Sequence, residues 1–111
     1  MTSFEFGDVV LVPFPFTDQS STKKRPAVVV SSPAYNSERP DVIIMAVTSQ
    51  VRPENTFDIP VAEWQAAGLI KPSVVKPVVA TVEKSLVIKQ LGRLSEPDRA
   101  TLAESLKAIL R

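Results

Sequence analysis

The chain has no cysteine and no histidine. Without cysteine there is no disulfide, no thiolate nucleophile and no zinc–thiolate site. Without histidine the usual proton shuttle near neutral pH is missing, so Ser-His-Asp triads, histidine metal sites and paired-histidine nucleases are excluded. An enzyme built from this chain must work with Arg, Lys, Ser, Thr, Tyr and carboxylates. No apolar run approaches the roughly 20 residues of a membrane span, so no membrane partner is expected. The opening MTSFEFGDVV has neither the basic start nor the long apolar core of a signal peptide, and a cytoplasmic protein is the expectation. A dominant charge is missing too. Thirteen Lys and Arg stand against 12 Asp and Glu, a net charge of +1, so binding to nucleic acid would rest on local clustering of cations. Repeats, low-complexity stretches and linkers are absent, and residues 1–111 are expected to form a single domain.

What is present reads as a compact β protein. Hydrophobic residues make up 44% and charged residues 23%, which is ordinary globular usage. Gly7-Asp8 is a turn into the β-branched run Val9 to Phe14, a buried strand that Pro13 and Pro15 are expected to end. Phe16 to Lys24 is a polar loop. Strands are expected over Ala27 to Ser31 and Asp41 to Thr48, with SPAYNSERP as a proline-bounded loop between them. Thr56 to Ile59 suits a short edge strand, and VAEWQAAG one or two helical turns stopped by Gly68. Ser73 to Val82 is a further strand, with an edge or bulge at Pro77. The stretch Leu86 to Leu94 fits more than one state. Ser95 then caps a closing helix with Asp98 as its capping-box partner, and Leu102, Leu106, Ile109 and Leu110 form its apolar stripe. Short strands plus a terminal helix point to a small twisted barrel with helical additions.

Two stretches carry chemistry. In KKRP, Pro26 pushes Arg25 into an extended conformation, and a guanidinium presents a planar fork suited to phosphate oxygens. Lys23 and Lys24 precede it. A solvated loop that discourages edge-to-edge aggregation accounts for the same three cations. In VTSQVR, a buried strand ends in Thr48, Ser49 and Gln50 and then Arg52; routine turn chemistry also explains that pattern. Trp64 reads as a packing anchor, and Lys71 and Lys76 as solvated.

Taken in order, GDVVLVPFPFTD, KKRPAVVVSS, VIIMAVTSQV, GLIKPSVVKP and TVEKSLVIKQLGRLS resemble the MazF/PemK (Kid) endoribonuclease toxins of type II toxin–antitoxin systems, over nearly the whole chain. The resemblance implies a mainly β, SH3-like barrel with a short internal helix and a C-terminal helix. It also implies a homodimer that cleaves single-stranded RNA at short preferred sequences with no metal and no cofactor. A cognate antitoxin would block it by laying an acidic C-terminal tail in the RNA groove. The family's catalytic arginine matches Arg25 and its threonine Thr48. Phe16, Thr17, Lys23, Lys24, Ser49, Gln50 and Arg52 flank that pair and are the candidate RNA contacts. The first loop lacks a glycine common in the family and looks like the PemK branch. Lys76 and Pro77 stand where some relatives carry acidic or amide groups, so base preference does not transfer.

Attack by the 2′-hydroxyl would require no metal and would spare DNA. Charge then builds on the phosphorane oxygens, where Arg25 and Thr48 are suited to donate. A guanidinium stays protonated near neutral pH, so Arg25 suits a proton donor to the leaving 5′-oxygen better than a base. The alternative is a non-catalytic barrel of the same type that binds a protein partner, an antitoxin or DNA gyrase. The gyrase-poisoning barrels rely on a Trp-Gly-Ile tail, whereas this chain ends AILR.

Overall fold

A computed structural model describes residues 3–14 and 23–110 of the chain. Its strands are β1 (Asp8–Phe14), β2 (Lys23–Val29), β3 (Asp41–Thr48), β4 (Ile59–Pro60), β5 (Val74–Glu83) and β6 (Lys89–Arg93). Two α-helices, α1 (Pro33–Glu38) and α2 (Glu96–Leu110), complete it, with one 3-10 turn at Lys84–Leu86. The strands form one antiparallel sheet in the order β4-β5-β3-β2-β1-β6. The sheet curls into a half-barrel, the mainly β architecture expected.

The three central strands explain their own sequences. Runs such as VVLV, AVV and VIIMAV are apolar at every position rather than at alternate ones, as strands buried on both faces must be. On one face Val9, Val28, Met45, Val47 and Val75 pack with Leu94 and Leu102, and Trp64 anchors to that cluster. On the other, Val10, Val12, Ala27, Val29, Val42, Ile44 and Ala46 pack with Phe4.

Curling brings the two edges of the sheet together. After β4, residues 62–68 make a tight turn in which Leu69 N–H donates to Trp64 O (3.0 Å) and Gly68 N–H to Gln65 O (3.1 Å). This pair of bonds, with Gly68 at φ +86°, is the Schellman stop expected from VAEWQAAG. The turn lies directly on β6. A Cβ added to Gly68 would sit 2.1 Å from Leu91 O, and one added to Gly92 would sit 2.4 Å from Ala67 O. Backbone meets backbone here because both sides are glycine.

Several local expectations change. Lys23, Lys24 and Arg25 lie on β2 and not in a loop, because β1 runs on through Pro13 and Phe14 and pairs with them. Pro13 is tolerated since β6 pairs with β1 only as far as Leu11, so its missing donor falls where β1 has one neighbour. Pro77 sits in a register shift between β3 and β5, as expected. SPAYNSERP is not all loop. Ser32 accepts the Tyr35 N–H at 3.1 Å and Pro33 starts α1, a helix too short to show a periodicity. Leu102, Leu106 and Ile109 pack inward from α2, whereas Leu110, placed on the same stripe, is 67% exposed. Lys76 is not simply solvated, since it pairs with the Asp58 carboxylate at 3.4 Å.

Asp98 forms half of the expected capping box. Its N–H donates to Ser95 Oγ (3.3 Å), but its buried carboxylate accepts from Ala62 N–H (3.1 Å) and Glu63 N–H (2.9 Å). Tertiary packing redirects the carboxylate from its own helix to the orphan donors of the 62–68 turn.

Asp41, at the start of β3, accepts from Tyr35 Oη at 2.7 Å and from Arg39 at 3.1 Å. The tyrosine hydrogen bond first, then the guanidinium, holds its carboxyl below the ordinary carboxylate range. The folded protein therefore binds this proton less readily than the unfolded chain. The contribution is present above the unfolded value and is lost as pH falls through the folded one. Asp41→Asn is expected to flatten the acid limb of stability against pH. Urea midpoints of the two proteins, compared at neutral and acidic pH, check it. Equal losses on acidification would count against this linkage.

Candidate functional site

The site begins with a proline. The β2–β3 ladder pairs Val29 with Ile44, Val28 with Met45 and Ala27 with Ala46, and there it stops. Pro26 has no N–H with which to continue it. The same register carried two residues further sets Arg25 across from Thr48. The strands are no longer bound to ladder spacing beyond Ala27, and a cleft opens between them.

That cleft has a volume of about 250 Å³. Arg25 and Pro26 form one wall; Thr48, Ser49 and Gln50 form another. Val47 and Leu69, both buried, give an apolar floor. The segment Ile70, Lys71 and Ser73 closes the remaining side. Ligand pockets usually enclose roughly 300–1,000 Å³. A smaller open cleft suits one unit of an extended polymer better than a whole enclosed small molecule. Its described lining holds two cations and no carboxylate, so it favours an anion.

Local bonds orient the groups. Gln50 N–H donates to Thr48 Oγ1 at 3.1 Å, which uses an acceptor lone pair and leaves the hydroxyl proton for donation elsewhere. Arg25 is part-buried on β2 with Val12 of β1 opposite it, so its stem leaves from a strand held on that side. Ser73 Oγ donates to Lys71 O at 2.8 Å and Val61 N–H to Ser73 O at 3.0 Å, which fix the turn that carries Lys71.

Of the residues singled out in the sequence, Arg25, Thr48, Ser49 and Gln50 meet in this cleft. Lys23 and Lys24 are exposed at the start of β2 and do not line it. Alternation gives Lys23 the Arg25 side of the sheet and Lys24 the other. Arg52 is exposed in the following turn and also stands outside the lining. Phe16 and Thr17 lie outside the described residues. The sequence reading missed Ile70 and Lys71. Their signal was a large apolar residue beside a cation in a Gly-to-Pro turn, GLIKPS, where burial is not expected.

A larger concavity, about 950 Å³, lies around Phe4, Pro33 and Lys84. Two of its polar groups, Asn36 and Lys84, are engaged in holding the fold. The Asn36 amide donates to Phe4 O (3.0 Å) and Ser31 O (3.2 Å), and the Lys84 ammonium donates to Asn36 O. It is the weaker candidate.

Comparison with known proteins bears on the family and the fold. A family model described as the PemK-like, MazF-like toxin of type II toxin–antitoxin systems matches residues 5–110. No curated protein matches the sequence. Among solved structures, MazE-MazF from Deinococcus radiodurans superimposes with a TM-score of 0.77 at 22% identity, over 98% of this chain and 97% of that one. An endoribonuclease from Mycobacterial species, in complex with its cognate antitoxin, gives 0.76 at 16% identity over 99% and 95%. The Mycobacterium tuberculosis toxin MazF-mt6 gives 0.75 at 21% identity over 93% and 95%. At these identities the structural matches speak for the fold.

Proposed function

Because the chain belongs to the PemK-like, MazF-like toxins of type II toxin–antitoxin systems, we propose that it is an endoribonuclease that cuts single-stranded RNA without a metal ion. The observation that carries the reading is the convergence of Arg25 and Thr48 on one cation-lined cleft at the point where the β2–β3 ladder ends. In the proposed step the ribose 2′-hydroxyl gives its proton to solvent water and its oxygen bonds to the adjacent phosphorus. The P–O5′ bond then breaks, and the fragments carry a 2′,3′-cyclic phosphate and a 5′-hydroxyl. Negative charge peaks on the non-bridging oxygens of the phosphorane, where fixed donors contribute most. Arg25 supplies a planar pair of N–H donors and a proton for O5′; Thr48 supplies a neutral O–H beside it.

The test is direct. Purified protein is expected to cut single-stranded RNA in excess EDTA and to leave cyclic phosphate ends. Intact RNA under those conditions, at enzyme concentrations stoichiometric with substrate, would sink the reading.

Two partners follow from the same proposal. One is a cognate antitoxin, whose acidic tail would compete with RNA phosphates for the cleft cations. MazE-MazF and an endoribonuclease with its cognate antitoxin are the structurally similar complexes. The other is a second copy of the chain. Among the described residues, β5 beyond Val75 has only β3 as a neighbour, and Val78 and Val79 are 39% and 47% exposed there. An open apolar edge of this kind is normally covered. Light scattering at micromolar protein is expected to give twice the mass of one chain, and a monomer would contradict it.

A further inference from the structure

We propose that Ile70 and Lys71 form a second nucleotide subsite of the cleft, with Lys71 holding a phosphate next to the scissile one and Ile70 supporting its base. The proposal rests on the ribonuclease reading and extends it to residues that reading does not use.

Lys71 lines the same cleft of about 250 Å³ as Arg25, from a different segment of the chain. The two are its charged groups among the described residues. A phosphate held at Arg25 leaves the neighbouring phosphates of the strand to other cations. The exposed Lys71 is available to the next one.

Ile70 is the most exposed large hydrophobic of the described residues, at 88%. A turn between Gly68 and Pro72 has no packing reason to hold isoleucine outward. Leu69 before it is buried, so the chain here alternates floor and ledge. An apolar side chain at the lip offers contact area to a base face. The segment is also held in place. Gly68 seats the turn against β6, and Ser73 bonds back to Lys71 O. A ledge fixed at both ends orders a flexible strand at low entropic cost.

The experiment measures binding and cleavage separately. An oligoribonucleotide with a single 2′-deoxy substitution at the cut site binds without being cut, so fluorescence anisotropy reads affinity across a salt titration. Lys71→Ala is expected to weaken binding about fivefold and to reduce the salt slope by about 0.7, the share of one phosphate on a single strand. Lys71→Arg restores both. Ile70→Ala is expected to weaken binding with the slope unchanged. With cleavable RNA, Lys71→Ala raises KM and leaves kcat within about twofold, as loss of uniform binding requires. Both side chains are exposed, so circular dichroism and melting should match wild type. Unchanged affinity and slope in Lys71→Ala, with wild type binding normally, overturns the subsite. A wild-type protein that bound no RNA would overturn the ribonuclease reading itself.

Discussion

Arg25→Ala is expected to lower the rate of RNA cleavage about 100-fold or more, the usual cost of removing one donor from an oxyanion-type site. The loss should appear in kcat rather than KM, because the charge it meets develops in the transition state. Arg25→Lys is not expected to rescue fully, since a point charge replaces the planar fork. Thr48→Ala should cost less, because a neutral donor contributes less than a charged one. It should leave the fold intact, since Thr48 ends β3 and its hydroxyl serves only the local Gln50 N–H among the described bonds. Single-turnover cleavage of a labelled oligoribonucleotide measures all three. Cleavage of a substrate lacking the 2′-hydroxyl at the cut site would show that the cyclising step is wrong.

Gly68→Ala is expected to destabilise the protein by about 3 kcal/mol. Part comes from forcing an L side chain to φ +86°, and part from a Cβ placed 2.1 Å from Leu91 O. A backbone carbonyl on a paired strand has little room to retreat. The substitution therefore pries the turn from β6 and moves the segment that carries Leu69, Ile70 and Lys71. Urea unfolding should show a lower midpoint at an unchanged m-value. An alanine variant as stable as wild type would mean that this backbone contact is looser than described.

The site was only partly legible in the sequence. Arg25 and Thr48 were found because KRP and VTS carry local signals, a proline that sets backbone direction and a strand ending in hydroxyls. Lys23 and Lys24, which both precede Arg25, are grouped with it only by proximity along the chain. A strand sends neighbours to opposite faces, so Lys24 leaves the side that Arg25 occupies. Lys71 carried only the weak signal of GLIKPS, because it is distant in sequence and reaches the cleft only through the turn at Gly68.

The sequence by itself determined the interior of the sheet. Apolar runs in Val9 to Val12, Ala27 to Val30 and Val42 to Val47 are long enough to be strands and too continuous to face water on either side. It also determined the closing helix through Ser95, Pro97 and the spacing of Leu102, Leu106 and Ile109. Tertiary structure decided what local rules left undetermined. Asp98 was free to cap its own helix or a neighbouring turn, and it serves Ala62 and Glu63 because packing brings their unsatisfied N–H groups to it. β2 began earlier than its apolar residues because a paired neighbour supplied the hydrogen bonds that Lys23 and Lys24 do not specify. The cleft exists because a register runs out at Pro26 and a distant glycine closes on β6, two events that meet only in three dimensions.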